Sequence, residues 1–545
     1  MLSSIAHNSP IRYWALALSL GVTAVALPFV GANYQLLWLV LPSGLLSLVG
    51  LYDLAQPSHA IRRNYPILAH LRFFLESIRP EIRQYFLESD SDAVPFSRAQ
   101  RSLVYQRAKA VEDDRPFGTT MDLYKQDYEW INHSMAAKHL SNTSFRVTVG
   151  GPACRQPYDI SVFNISAMSF GSLSANAILA LNHGAKMGGF AHDTGEGSIS
   201  RYHREFGGDL VWEIGSGYFG CRDAEGRFDP QRFAAQARDP QVKMIEIKLS
   251  QGAKPGHGGI LPGPKVTPEI SEARGVPVGI DCISPSQHSA FSSPLELMQF
   301  IAQLRELSGG KPVGFKFALG HPWEFFGICK AMLESGILPD FIVVDGGEGG
   351  TGAAPVEFAD HIGTPLQEAL MLVHNTLVGL DLRKQIRIGA SGKIISAFDL
   401  ARTIALGADW GNAGRGFMFA LGCIQSLTCH TSKCPTGVAT QDKLRQRALV
   451  VPDKATRVAN YHRNTLLALG ELIGAAGLEH PCELTPHHIV RRVSGNEIRL
   501  VSNLYKFLQP GELLRNPAAH KVYEMYWPMA SSHSFKPLVT PGQPA

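Results

Sequence analysis

A chain of 545 residues with a formal charge of only +4 is too nearly neutral to hold polyanions by charge, and no basic run interleaved with aromatics points to nucleic acid. The length allows one large domain with appendages. Five of the eight cysteines (Cys154, Cys221, Cys282, Cys329 and Cys482) stand isolated, which argues against a disulfide framework and leaves one cluster to explain.

From Trp14 to Tyr52 no side chain is charged. Pro28 and the turn-like Gly31-Ala32-Asn33 split this stretch into two apolar runs, residues 13–30 and 34–51, each near the lower length limit for crossing a hydrocarbon core. Trp14, Tyr34, Trp38 and Tyr52 suit interfacial anchors. A cleaved signal peptide is the rival reading of the first run, although the second run follows at once. The hairpin reading makes residues 1–55 a transmembrane helical hairpin of the inner (cytoplasmic) membrane. Arg12 before it, and Arg62, Arg63, Arg72, Arg79 and Arg83 after it, place both flanks in the cytoplasm. Residues 56–150 read as a helical linker, with apolar and basic residues at helical spacing.

From about Asp159 short β-rich runs alternate with helical stretches. Candidate strands are residues 160–167, 189–192, 244–249, 278–283, 313–317, 341–344, 386–390 and 410–413; helical stretches include 175–186, 322–335 and 396–406. The alternation predicts an α/β fold, a (β/α)8 TIM barrel over residues 151–445, followed by a helical extension and tail over 446–545. The unusual segments SAMSFGS, DTGEGS, SQGAKPGHGG, DGGEGGTGAAP, ASGK and GNAGRG each begin at the C-terminal end of an expected strand, the rim on which such barrels build active sites. Tight connections alone would not need their Lys, Glu, Gln and Arg. Ser391-Gly392-Lys393 and Gly414-Arg415-Gly416 follow the seventh and eighth strands, where backbone N–H groups often hold a phosphate.

Cys423, Cys429 and Cys434 form a C-x5-C-x4-C cluster with proline directly after the last cysteine. This spacing suits an iron–sulfur cluster. Zinc, with His430 as a fourth ligand, remains the rival, although structural zinc sites usually show shorter spacing and adjacent residues rarely both reach one tetrahedral ion.

The segment CIQSLTCHTSKCPTGVATQD resembles the iron–sulfur loop of glutamate synthase. AMSFGS, DTGEGS, IKLSQGAKPG, LPGPKVT and GGTGAAP resemble that family's FMN-domain motifs, in the same order. The resemblance implies an FMN-bearing barrel beside a [3Fe–4S] cluster on Cys423, Cys429 and Cys434. It places Met168 and Ser169 against the flavin and Lys316, on strand five, at the flavin N1/O2 edge. Gln251 and Lys254 fall at the flavin and 2-oxoglutarate site, Arg274 on a substrate carboxylate, and Glu196 near the ammonia route. Ser391, Gly392, Lys393, Gly414 and Arg415 fall around the FMN phosphate, and Gly346 and Gly347 are counted with the cofactor site.

The departures are local. His257 and Ile260 stand where the family's KPGEGGQ loop has a carboxylate and an amide, and Ser391-Gly392-Lys393 replaces Asp-Gly-Gly. A glutaminase domain with an N-terminal cysteine is expected to be lacking. The implied chemistry is reductive amination of 2-oxoglutarate by ammonia and reduced FMN. The electrons would come from a partner (a ferredoxin-like protein, an NAD(P)H-oxidising subunit or the quinone pool), because no G-x-G-x-x-G dinucleotide motif is present. Two alternatives stand beside it: a related FMN/iron–sulfur oxidoreductase acting on another amino or oxo acid, and a membrane electron-transfer subunit. Retention of Lys254, Gln251 and Glu196 argues against the last.

Overall fold

The computed structural model describes residues 11–56, 60–82 and 95–539; Arg83, counted above in the basic flank, lies outside them. The chain forms two compact units, residues 1–98 and 99–545.

In the first unit, helix α1 (Trp14–Ala26) and helix α2 (Leu37–Ala55) pair, and helix α3 (Leu68–Ile82) follows. Asn33 caps the turn into α2 by accepting from Gln35 N at 3.0 Å. With its leading turn, α2 runs from Tyr34 to Ala55, 22 residues of mean hydropathy 1.6, long and apolar enough to cross a membrane; the apolar helix Trp14–Phe29 is shorter. Only one of the two expected spans thus reaches crossing length. The pair carries its polar groups inside. Thr23 Oγ1 donates to Ser43 Oγ at 2.8 Å and Ser47 Oγ to Ser19 Oγ at 3.2 Å, while Leu18, Val25, Trp38, Leu41, Leu45 and Leu48 are exposed. Buried Asp53 accepts from Ile67 N at 3.0 Å and from His70 Nε2 at 2.9 Å.

The second unit opens with helix α4 (Arg98–Lys109), whose first residue closes the unit before it. Its centre is a closed barrel of eight parallel strands: β1 (Phe163–Ile165), β2 (His192–Asp193), β3 (Leu210–Ile214), β4 (Val242–Lys248), β5 (Val313–Phe317), β6 (Phe341–Asp345), β7 (Arg387–Ser391) and β8 (Trp410–Ala413). Closure is made by β8 on β1, with Gly411 opposite Phe163. Seven of the expected strands fall on this barrel. Residues 278–283 do not: Cys282–Ser284 pairs antiparallel with Gly259–Leu261 in a small hairpin outside the barrel. The true third strand is β3, which the sequence reading passed over because Glu213 interrupts its apolar run.

The barrel interior is layered. Val211, Met244, Phe341, Val343 and Trp410 pack at its N-terminal end against Val149 and Ile160. Those last two belong to the hairpin Arg146–Val149 and Tyr158–Ser161, which plugs that end. Above this apolar floor the inward positions turn charged, and the loops of the rim follow. Three more helices frame the site: α5 (Ala175–Gly188), α6 (Arg415–Leu421) and α7 (Val451–Ala475). Ser174 caps α5 by accepting from Ala177 N, and Gly189 ends it at φ +65°. Gly184 lets α7 approach, since a Cβ there would run into Val458. The regions expected as purely helical meet in a sheet, with Glu129–Ile131 pairing with the hairpin Ile489–Ser494 and Glu497–Leu500. An ion pair from Arg491 to Glu129 at 2.6 Å joins them.

Candidate active site

Directly above the apolar floor, Asp193, Glu213 and Glu246 bring carboxylate oxygens within 4.8 Å of one another. Lys316 from β5 lies among them, bonded to Glu213 and 3.4 Å from Glu246 Oε1. All four are nearly inaccessible to solvent. Three acids and one cation cannot all be ionised in such a site without large cost. Burial and then Glu213 push Asp193 up to about 7, and burial and then Asp193 push Glu246 well above the carboxylate range. Burial would lower Lys316, but Glu213, Glu246 and Asp193 more than reverse this and hold it firmly protonated. The lysine expected at a flavin edge is therefore already neutralised from below.

On the rim, Glu196 of the DTGEGS loop pairs with Lys248 at 2.9 Å. Burial would raise the Glu196 carboxyl; Lys248, Arg274 and Lys254 bring it below its ordinary value, so it stays anionic. Lys254 is half-buried, and burial, only partly offset by Glu196, lowers its ammonium. Gln251 lies half-buried one turn before it, its carbonyl accepting from Lys254 N at 3.3 Å. Lys248 is a site residue the sequence reading missed, although it stands inside the quoted IKLSQGAKPG motif. Its backbone is fixed by a relay that was also missed: His288 Nε2–H donates to Lys248 O at 2.9 Å, and Tyr218 Oη donates to His288 Nδ1 at 3.0 Å. Burial lowers His288 to about 4, so the neutral tautomer this relay needs is the stable one.

Arg274 sits elsewhere than in open substrate space. It is buried, donates to Phe170 O at 3.1 Å and lies 5.1 Å from the Phe219 ring centroid. Its position braces the AMSFGS loop. That loop lies flat on the DTGEGS loop, since a Cβ on Gly195, at φ +62°, would come within 2.7 Å of Ser169 N. A Cβ on Gly414 would lie 3.7 Å from Met168 Sδ, which places Met168 beside the start of α6. Gly346 and Gly347 spend their N–H groups inside the protein, on Ser391 O at 2.8 Å and Thr364 O at 2.9 Å. Their role in the structure is close packing of loops.

Lys393 and Arg415 come together across the loops after β7 and β8. Burial lowers both, Arg415 to about 10, and the Arg415 charge lowers Lys393 further. Glu348 works against the lowering of both and Asp345 against that of Arg415, and Arg415 Nη2 donates to Glu348 O at 2.5 Å, so the two cations lie beside acids as well as beside Gly392 and Gly414. Lys393 itself takes a positive φ of 52°, turning the chain at that point.

The cysteine loop follows α6 directly. Electrostatic coupling among Cys423, Cys429 and Cys434 places them together. Among the described residues the set of three ligand atoms found within 4.8 Å of one another is the acidic trio. Three thiols on one loop are a donor set that an iron–sulfur cluster would fit. N–H groups of Thr436, Val438 and Ala439 point at Cys434, and Gln425 N donates to Cys423 Sγ at 3.5 Å. Such contacts favour sulfur ligands that carry charge.

Residues 116–479 match the model of the conserved region in glutamate synthase. The chain is 37% identical to the glutamate synthase large subunit-like protein YerD of Bacillus subtilis, over 86% of this chain and 96% of that protein. It is 38% identical to the archaeal-type glutamate synthase [NADPH] of Thermotoga neapolitana over 57% of this chain and 59% of that protein, so it spans little more than half of the latter. Among solved structures, a mandelate oxidase variant with an FMN adduct is 15% identical with a TM-score of 0.38, covering 79% of this chain and 99% of that one. The chain belongs to the glutamate synthase family and is an oxidoreductase.

Proposed function

We propose that this protein is a membrane-tethered glutamate-synthase-type enzyme that aminates 2-oxoglutarate, with FMN on the barrel rim and a [3Fe–4S] cluster on Cys423, Cys429 and Cys434. The observation that carries the reading is the rim itself: an anionic Glu196 paired to Lys248 with Lys254 beside it, and Lys393 and Arg415 near one another on the loops after the last two strands. When bound, the flavin supplies a hydride and the cluster single electrons. Lys393 and Arg415 would hold the flavin phosphate. Lys248 and Lys254 would receive the carboxylates of the oxo acid and orient its C2. Glu196, ionised at neutral pH, would hold ammonium at the same mouth and take up a proton as the amine attacks. The relay from Tyr218 through His288 keeps Lys248 in place.

Ile260 favours a second reading. It is 61% exposed on the hairpin beside the mouth, where the family's loop has an amide, and so supports an oxo or amino acid whose far end is less polar than a carboxylate. The test is reoxidation of the reduced, purified protein by a panel of 2-oxo acids with ammonium. Fastest turnover with 2-oxoglutarate is expected; reoxidation by a quinone analogue alone would overturn both readings in favour of an electron-transfer subunit.

Tethering is supported by the polar seam inside the α1–α2 pair and the leucines outside it, the reverse of a pair built for water. Arg12, Arg62, Arg63, Arg72 and Arg79 favour barrel-side placement in the cytoplasm. Release of the intact protein from membranes by carbonate would refute the tether.

A further inference from the structure

Helix α4 precedes the span matched to the family model, yet it rests on the cysteine loop. Tyr105 Oη donates to the Cys423 carbonyl at 2.6 Å, and its ring meets Phe419 of α6 edge-on at 6.2 Å between centroids. The N–H of Cys423 donates to Met418 O at 2.9 Å, so both backbone groups of this cysteine are held. Arg101 lies one turn before Tyr105 on the same face of α4. It is 5% exposed. Arg101 is thereby placed close enough to Cys423 for its charge to act there. The helix is itself anchored, with Val104 and Ala108 buried, and with Asn464 Nδ2 donating to Arg107 O at 2.8 Å and Asn460 Nδ2 to Ala108 O at 3.3 Å from α7.

We propose that Arg101 and Tyr105 are positioning residues of the iron–sulfur centre: Tyr105 fixes the backbone of Cys423, and Arg101 places a buried positive charge beside the centre that raises its reduction potential. A cation in a site screened from water stabilises the added electron more than it would on the surface. The same contact ties the centre to α4, so the ligand loop is set by residues outside the span matched to the family model. The inference rests on the cluster reading above.

The experiment is an EPR-monitored redox titration of the full-length holoprotein, with iron and flavin contents measured on each sample. R101Q is expected to keep iron and flavin while its centre becomes about tenfold harder to reduce, ~59 mV for a one-electron couple. R101K is expected to restore the wild-type potential. Y105F is expected to alter the shape of the EPR signal and to speed iron loss to chelator. Wild-type protein without iron would overturn the cluster reading itself. Iron-containing wild type with unchanged potential in R101Q and an unchanged signal in Y105F would overturn only this proposal, as would R101K behaving like R101Q.

Discussion

Replacing Lys316 by Met tests the charged layer of the barrel. The substitution nearly conserves volume but leaves Asp193, Glu213 and Glu246 without their cation. Removing one partner of a buried charge pair costs about 3–5 kcal/mol, and that is the expected loss at pH 7.5. The loss should depend on pH in a definite sense. In the wild type, Asp193 already holds its proton to about 7 against an ordinary 3.8. Between those values the folded state keeps a proton that the unfolded state has released, so this group's contribution to stability falls as pH rises. Without Lys316 the trio must keep roughly one further proton when folded, which steepens the fall by about 1.4 kcal/mol per pH unit. Over two units, from pH 7.5 to 5.5, the penalty should shrink by about 2.7 kcal/mol. Guanidinium titrations read by tryptophan fluorescence report on it, since Trp212 and Trp410 are fully buried in the barrel. A penalty that is the same at both pH values would refute the reasoning, because carboxylates would not then be carrying the uncompensated charge.

Other outcomes follow from the rim and the cysteine loop. Glu196→Gln is expected to retain flavin and lower ammonia-dependent turnover by about 10²-fold or more. Because Glu196 is held below its ordinary value, the wild-type pH profile should show no acid limb from this group above pH 5; a limb near pH 6 that vanished in the Gln variant would contradict this. Cys434→Ser is expected to abolish a three-iron EPR signal with flavin retained, and unchanged iron in the variant would remove Cys434 from the ligand set. Gly195→Ala, at a positive φ and with its Cβ pressed on Ser169 N, is expected to displace the AMSFGS loop and weaken flavin retention; wild-type flavin content would show that the two loops are not held by this contact.

The sequence made the rim legible because its loops are chemically unusual and fall at strand ends. Seven barrel strands were visible as β-branched or aromatic runs. The eighth was misplaced for a physical reason: residues 278–283 have the apolar look of a buried strand, whereas β3 carries Glu213, whose burial makes sense only once Lys316 is seen opposite it. That pairing joins residues about a hundred positions apart, and no local pattern announces it. The same holds for Tyr105 and Cys423, and for the Tyr218–His288 relay that secures Lys248. Arg274 could be singled out as a cation, but only packing shows that its guanidinium is turned onto Phe170. The sheet uniting Glu129–Ile131 with the C-terminal hairpin was equally hidden, since each strand is short and its partner distant.

The plug formed by Val149 and Ile160 covers the N-terminal end of the packed barrel and leaves the rim as the face open to substrates. On the proposed chemistry, oxo acid, ammonia and amino acid must all share the doorway over Glu196, so product departure has to precede the next arrival. Electrons need no opening. On the same proposal they would arrive through the wall at Cys423, which lies just beyond α6. Under that proposal, traffic of matter and traffic of charge would use different faces, and a donor could stay docked while substrates come and go.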